Sequence, residues 1–230
     1  MVKSGIAPRK KIRAFIRTGR VVVNGEVIKS PSFKIDPSKD KILVDGKPVV
    51  VEFQIYIALY KPKGYVTSAV DQHHPTVFDI IGDTFGSRKL FPAGRLDVDA
   101  EGLLILTDDG EFAHRLTHPK YKIPRVYEVE IRPPLDDNAI EIIEKGELTL
   151  RSGYKPLPAK IQKIDEGKIL MTVFEGKYHI VKRIIAAAGS KVLSLKRVAI
   201  GPITLEGLAP GEWRKLESEE LEALRKILNL

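Results

Sequence analysis

A chain of 230 residues, 43% apolar and 30% charged, has room for one large domain or a large and a small one, and has the make-up of a soluble globular protein. The absence of cysteine excludes disulfides and thiolate metal sites. No apolar run approaches the roughly 18 residues of a membrane span and no signal-peptide pattern opens the chain, so a cytoplasmic protein is expected. The formal charge is +8, and residues 1–29 hold eight bases against one acid, so nearly all of the excess lies at the front.

From Pro8 to about Thr18, Ile12, Phe15 and Ile16 recur at helical spacing, with Pro8 suited to the first helical position and Gly19 to the stop. Arg9, Arg13 and Arg17 fall on one face of this helix, with Lys10 and Arg20 nearby. Like charges so placed repel one another. A solvated basic helix is one reading; a platform for RNA phosphates, which would neutralise the repulsion, is the other. Val21 to Ile28 reads as two short strands joined by Asn24-Gly25, a strong hairpin signal. Lys39 to Gly46 supplies another turn and strand, and Gly46-Lys47-Pro48 suggests a boundary before the strand formers Val49 to Phe53. Tyr56 to Tyr60 reads as a buried strand. Lys61-Pro62-Lys63-Gly64-Tyr65 should turn the chain away from it, because two lysines and a proline do not suit a central strand.

The most informative stretch runs from Gly94 to Gly110. Gly94 and Gly102 give the backbone freedom on either side of Asp97, and Leu103 to Leu106 is a short buried strand, so Asp97 is presented on a loop anchored by a strand. The acids Asp97, Asp99, Glu101, Asp108 and Asp109 lack the alternating ligands and closing glutamate of a calcium loop. His73-His74 has no spaced third ligand. No metal site is expected. Further on, Phe112 to His118 suggests a short helix stopped by Pro119, Arg125 to Ile131 an alternating strand that includes Tyr127, and Asp136 to Lys145 a helix capped by Asp136 or Asp137 and stopped by Gly146. In Glu175 to Gly189, Val181, Ile184, Ile185 and Ala188 form one helical stripe, while His179, Lys182 and Arg183 share the opposite face.

Two resemblances emerge from these stretches. Gly5 to Lys11 followed by Ile16 to Gly25 resembles the S4 RNA-binding domain, in which a helix and this hairpin grip structured RNA. S4 domains usually begin with a further helix; Met1 stands where that helix would be ending, so the module at residues 1–47 is expected to lack it. The Asp97 stretch, Lys61-Pro62-Lys63-Gly64-Tyr65, Arg125-Val126-Tyr127 and Glu175 to Gly189 resemble motifs of the pseudouridine synthases that carry an S4 domain, and Arg197 to Arg214 continues the match. Ile180 and Ala100 depart from the glutamine and the Ser or Thr common in that family. The resemblance implies an α+β protein: an S4-like module, then a catalytic domain at residues 52–230 with a largely antiparallel mixed sheet flanked by helices and loops.

It also implies the chemistry. Uridine becomes pseudouridine when the C1′–N1 bond breaks, the uracil turns and C5 bonds to C1′. No redox step occurs, so no cofactor is expected. Asp97 is implied as nucleophile, or as an aid to glycosidic cleavage by another route, with Lys182 as its basic partner; burial alone would favour the neutral acid, so a neighbouring cation is needed. Tyr127 would stack on the uracil and serve in proton removal. Arg95 would contact the RNA backbone or fill the gap left by the everted nucleotide. Arg9, Lys10, Arg13, Arg17, Arg20, Lys61, His179 and Arg183 are the remaining candidates for RNA contact. Tyr178-His179 and the element His74-Pro75-Thr76-Val77 look closer to the small-subunit (16S) ribosomal RNA branch, the RsuA family, than to the large-subunit (23S) branches. Ribosomal RNA or a ribosomal assembly intermediate is the expected partner, and a monomer the expected state. Two other classes stand beside this: a non-catalytic S4-type RNA-binding or ribosome-assembly protein, and a glycoside hydrolase with Asp99 or Glu101 as the second carboxylate.

Overall fold

A computed structural model describes residues 7–36, 39–49, 54–86 and 88–230. The chain divides into two compact units, Met1–Ile55 with Gly82–Leu90, and Tyr56–Ile81 with Phe91–Leu230. Among the described residues no helix is long and apolar enough to cross a membrane.

The first unit contains α1 (Arg9–Arg17) and four short strands, β1 (Val21–Val23), β2 (Glu26–Val27), β3 (Ile42–Val44) and β4 (Lys47–Pro48), in the sheet order β2-β1-β3-β4. Ile12 and Ile16 of α1 bury against Val21, Val23, Ile42 and Val44. The basic face is thereby left outward. Pro8 is the N-cap rather than the first helical residue, with ψ at 151° and its carbonyl accepting from the Ile12 N–H at 3.1 Å. Asn24 and Gly25, both at positive φ, close the hairpin as expected. A second tight turn at Asp45-Gly46 folds Lys47–Pro48 back on β3, and proline is tolerated there because β4 is an edge strand. The strand expected over Val49 to Phe53 lies mostly outside the described residues.

The second unit is built on a nine-stranded sheet. Its elements in chain order are β5 (Tyr56–Lys61), α2 (Val77–Ile81), β6 (Phe91–Pro92), β7 (Glu101–Thr107), α3 (Gly110–Thr117), β8 (Arg125–Arg132), α4 (Asp137–Lys145), β9 (Lys160–Asp165), β10 (Lys168–Val173), α5 (Ile180–Ala187), β11 (Lys191–Ile200), β12 (Ile203–Thr204), β13 (Trp213–Lys215) and α6 (Ser218–Leu228). The main path runs β13-β5-β7-β11-β8-β10-β9, with β12 on β11 and β6 on β7. Among the named strands of this sheet all pairings are antiparallel except β7 with β11. The sheet is therefore mixed and largely antiparallel, as the resemblance implied.

That one parallel pairing sets the site. Gly102 lies opposite Arg197 in it, and a Cβ built on Gly102 would stand 2.2 Å from the Arg197 carbonyl oxygen. Together with a φ of 112°, this closeness restricts the position to glycine. β5 is buried along its whole length, Lys61 included. The sequence expectation that Lys61 lies in a turn beyond the strand is corrected here. The lysine tolerates the position because backbone carbonyls, described below, satisfy its ammonium group.

Candidate active site

The loop joining β6 to β7 carries Asp97 and is held from below by the segment that follows β5. Thr67 Oγ1 donates to the Leu96 carbonyl at 2.9 Å and accepts from the Leu96 N–H at 3.2 Å. The Gly64 N–H reaches the Val98 carbonyl at 2.7 Å. Lys61 Nζ donates to the carbonyls of Pro62, Tyr65 and Ala100 at 2.9, 2.8 and 2.8 Å. Leu96 and Ala100 are buried, so Asp97 sits on a short arch pinned at both feet. This gives the Lys-Pro-x-Gly-Tyr stretch a physical purpose: it forms the cradle of the arch.

Lys61 is 0% exposed and cannot reach an RNA phosphate, so its expected role in RNA contact is corrected to a structural one. Burial pushes its pKa down to about 8, against the pull of Asp97, Asp99 and Glu101. All three ammonium hydrogens are used.

Above the arch, α5 and its N-cap bring two basic side chains against Asp97, whose side chain is 26% exposed. His179 Nε2 lies 3.1 Å from Oδ1 and Lys182 Nζ lies 3.2 Å from Oδ2. Each carboxylate oxygen thus has its own partner. Lys182 is shared: it also contacts Asp99 at 2.7 and 2.9 Å. Burial opposes the charge on Lys182, but its hydrogen bonds to Asp99 and Asp97 prevail and hold its pKa above the ordinary lysine value. The Lys182 hydrogen bond lowers the pKa of Asp99 in turn. The helix positions these groups because Ile180, Val181, Ile184 and Ile185 are buried in the core beneath them. Ala188, expected on that stripe, is the half-buried C-cap.

Tyr127 on β8 is buried and joins the arch through Arg197 on β11. Arg197 is the register partner of both Gly102 and Tyr127. Its Nε donates to the Leu103 carbonyl at 2.7 Å, and its Nη1 approaches the Arg95 carbonyl at 3.3 Å and the Tyr127 hydroxyl at 3.4 Å. Its Nη2 is buried without a partner among the described residues. Arg95 is exposed two residues before Asp97. Arg183 donates to Ser152 Oγ at 2.8 Å.

In the first unit Arg9, Lys10, Arg13 and Arg17 are exposed, whereas Arg20 is engaged by the Asp45 carboxylate through two nitrogens and lies over the Phe15 ring at 4.2 Å. The acids of the central stretch are also occupied. Glu101 takes Tyr60 and Lys63, and Asp109 caps α3.

Sequence reasoning missed Asp99 as a rival for Lys182, Thr67 as a clamp and Arg197 as the bridge to Tyr127. Arg197 left one signal: it occupies the same inward phase of β11 as buried Leu195.

Family and relatives accord with this arrangement. The RNA pseudouridylate synthase family model matches residues 55–187 and the S4 domain model residues 1–42. The chain therefore belongs to the RNA pseudouridylate synthase family. It is 41% identical, over 96% of its length and 92% of the relative's, to an uncharacterized RNA pseudouridine synthase of Aquifex aeolicus (strain VF5). It is 39% identical, over 91% of its length and 90% of the relative's, to ribosomal small subunit pseudouridine synthase A of Escherichia coli (strain K12). A crystal structure of a pseudouridylate synthase superposes with a TM-score of 0.70 at 36% identity, covering 97% of this chain and 96% of that one.

Proposed function

We propose that the protein isomerises uridine to pseudouridine in small-subunit ribosomal RNA, with Asp97 acting at ribose C1′. The observation that carries this reading is the two-sided grip on Asp97, one oxygen on His179 and the other on Lys182. A carboxylate so held is fixed in direction, as the step at C1′ needs. Tyr127 stacks on the uracil and assists removal of the C5 proton. Arg95 occupies the space that the everted nucleotide leaves in the RNA. Arg9, Lys10, Arg13 and Arg17 contact phosphates. The small-subunit target rests on Tyr178-His179 and on the likeness to the E. coli relative. The RNA-binding module spans residues 1–47 and the catalytic domain residues 52–230. The protein works in the cytoplasm as a monomer without a cofactor, since the isomerisation moves neither electrons nor groups to a second molecule.

The test supplies the protein with unmodified small-subunit and large-subunit ribosomal RNA tritiated at uracil C5. Release of tritium from the small-subunit RNA, abolished by Asp97→Asn while RNA binding persists, is the expected result. Release from large-subunit RNA alone moves the target, and full activity in Asp97→Asn removes the aspartate from the mechanism.

A further inference from the structure

Tyr178 is the largest exposed ring in the second unit, with 76% of its surface open. A single exposed tyrosine is ordinary. This one is stacked on the His179 ring, centroids 3.7 Å apart and planes 21° from parallel, and His179 is the residue whose Nε2 touches Asp97. One face of Tyr178 is thus covered by the nucleophile's own neighbour, and most of the rest of the ring is open to solvent.

The backbone beneath is unusual as well. His179 takes a φ of 51°, rare outside glycine, at the N-cap of α5, and its side chain makes no capping hydrogen bond. The conformation serves Asp97 and the stack instead. The cations next to the pair in the chain are already engaged: Lys177 Nζ lies over the Tyr154 ring at 3.5 Å, Lys182 is held by Asp97 and Asp99, and Arg183 donates to Ser152. A flat ring with a free surface, stacked on the residue that touches the reacting carboxylate, fits a nucleobase better than it fits an apolar peptide.

We propose that Tyr178 and His179 form a stacking platform for a base that flanks the everted uridine, with His179 tying the platform to Asp97. The inference rests on the RNA-modifying reading above. Everting a uridine strips its neighbours of a stacking partner. The open surface of Tyr178 replaces that partner and seats the RNA beside Asp97, while His179, which carries the ring on one side and touches Asp97 on the other, fixes the platform's distance from the carboxylate. Tyr178 acts on RNA directly, and His179 acts as a positioning residue.

The experiment compares Tyr178→Leu with Tyr178→Phe, using tritium release from a small-subunit ribosomal RNA transcript under steady-state conditions. Leucine keeps apolar bulk but has no π-face; phenylalanine keeps the face. The expected result is a KM raised by about 5- to 100-fold in Tyr178→Leu, the range that loss of one base stack produces, with kcat changed far less and Tyr178→Phe within about twofold of wild type. Thermal melting serves as a control and should be equal in all three, because the ring is exposed. Equal kinetics for Leu and Phe overturn the platform and point the ring at a protein partner; a loss confined to kcat also overturns it. If the wild-type protein releases no tritium, the proposed function fails by itself. Fluorescence anisotropy with the same transcript then still decides the platform, which requires weaker binding by Tyr178→Leu than by Tyr178→Phe.

Discussion

Raising the pH from 7 to 9 should stabilise this protein through Lys61 while taking charge from beneath its active site. Lys61 is fully buried, and its pKa is pushed down to about 8 from an ordinary 10.5. Below pH 8 the folded and unfolded chains both carry the proton, so the group adds no pH dependence. Between 8 and 10.5 the unfolded chain holds the proton and the folded chain releases it, so stability rises with pH. At pH 9 roughly a tenth of the folded molecules keep the ammonium, and integration from pH 7 gives a gain of about 1.3 kcal/mol. Tyr56, Tyr60 and Tyr154, each raised to about 12, withdraw stability only above about pH 10 and leave this window clear. Urea denaturation of wild type and Lys61→Met at both pH values isolates the lysine, because every other group is common to the two proteins. The wild type should gain about 1 kcal/mol more than the variant. Equal slopes would refute the reasoning, since a freely solvated lysine shows no such difference. The variant should also lose roughly 10- to 100-fold in kcat, because three carbonyls of the arch and its cradle lose their common partner and Asp97 is no longer fixed.

Lys182→Met should lower kcat by about 100-fold or more, with the Kd for RNA little changed and partial recovery in Lys182→Arg; single-turnover tritium release separates the two effects. Asp99→Asn leaves Lys182 wholly to Asp97 and should change kcat by less than about tenfold; a collapse as deep as that of Asp97→Asn would show that the exposed carboxylate has a chemical role. Gly102→Ala should cost about 3 kcal/mol or more by urea denaturation, because its Cβ would meet the Arg197 backbone at 2.2 Å and φ is 112°. Replacing Arg9, Arg13 and Arg17 together by alanine should reduce the salt slope of RNA binding by about 2 to 3, leaving kcat at saturating RNA near wild type.

Local order was legible in the chain. Ile12, Phe15 and Ile16 announce α1, Asn24-Gly25 the first hairpin, and Asp136 with Gly146 the two ends of α4, since helix period, turn chemistry and caps are short-range effects that neighbouring residues decide. The glycines around Asp97 and the apolar run after it likewise fixed the carboxylate on a strand-anchored loop. What residue type cannot report is the partner of a charge. Lys61, Lys182 and Arg197 read alike as bases, yet the first is sealed under the arch, the second spans two carboxylates and the third ties Tyr127 to the Asp97 loop. Those fates depend on β5 pairing with β7, on β7 lying parallel beside β11 and on α5 being seated by its buried isoleucines, contacts between residues 39 to 102 positions apart. Sequence set which groups the site would contain; only the closing of the sheet decided which of them hold one another.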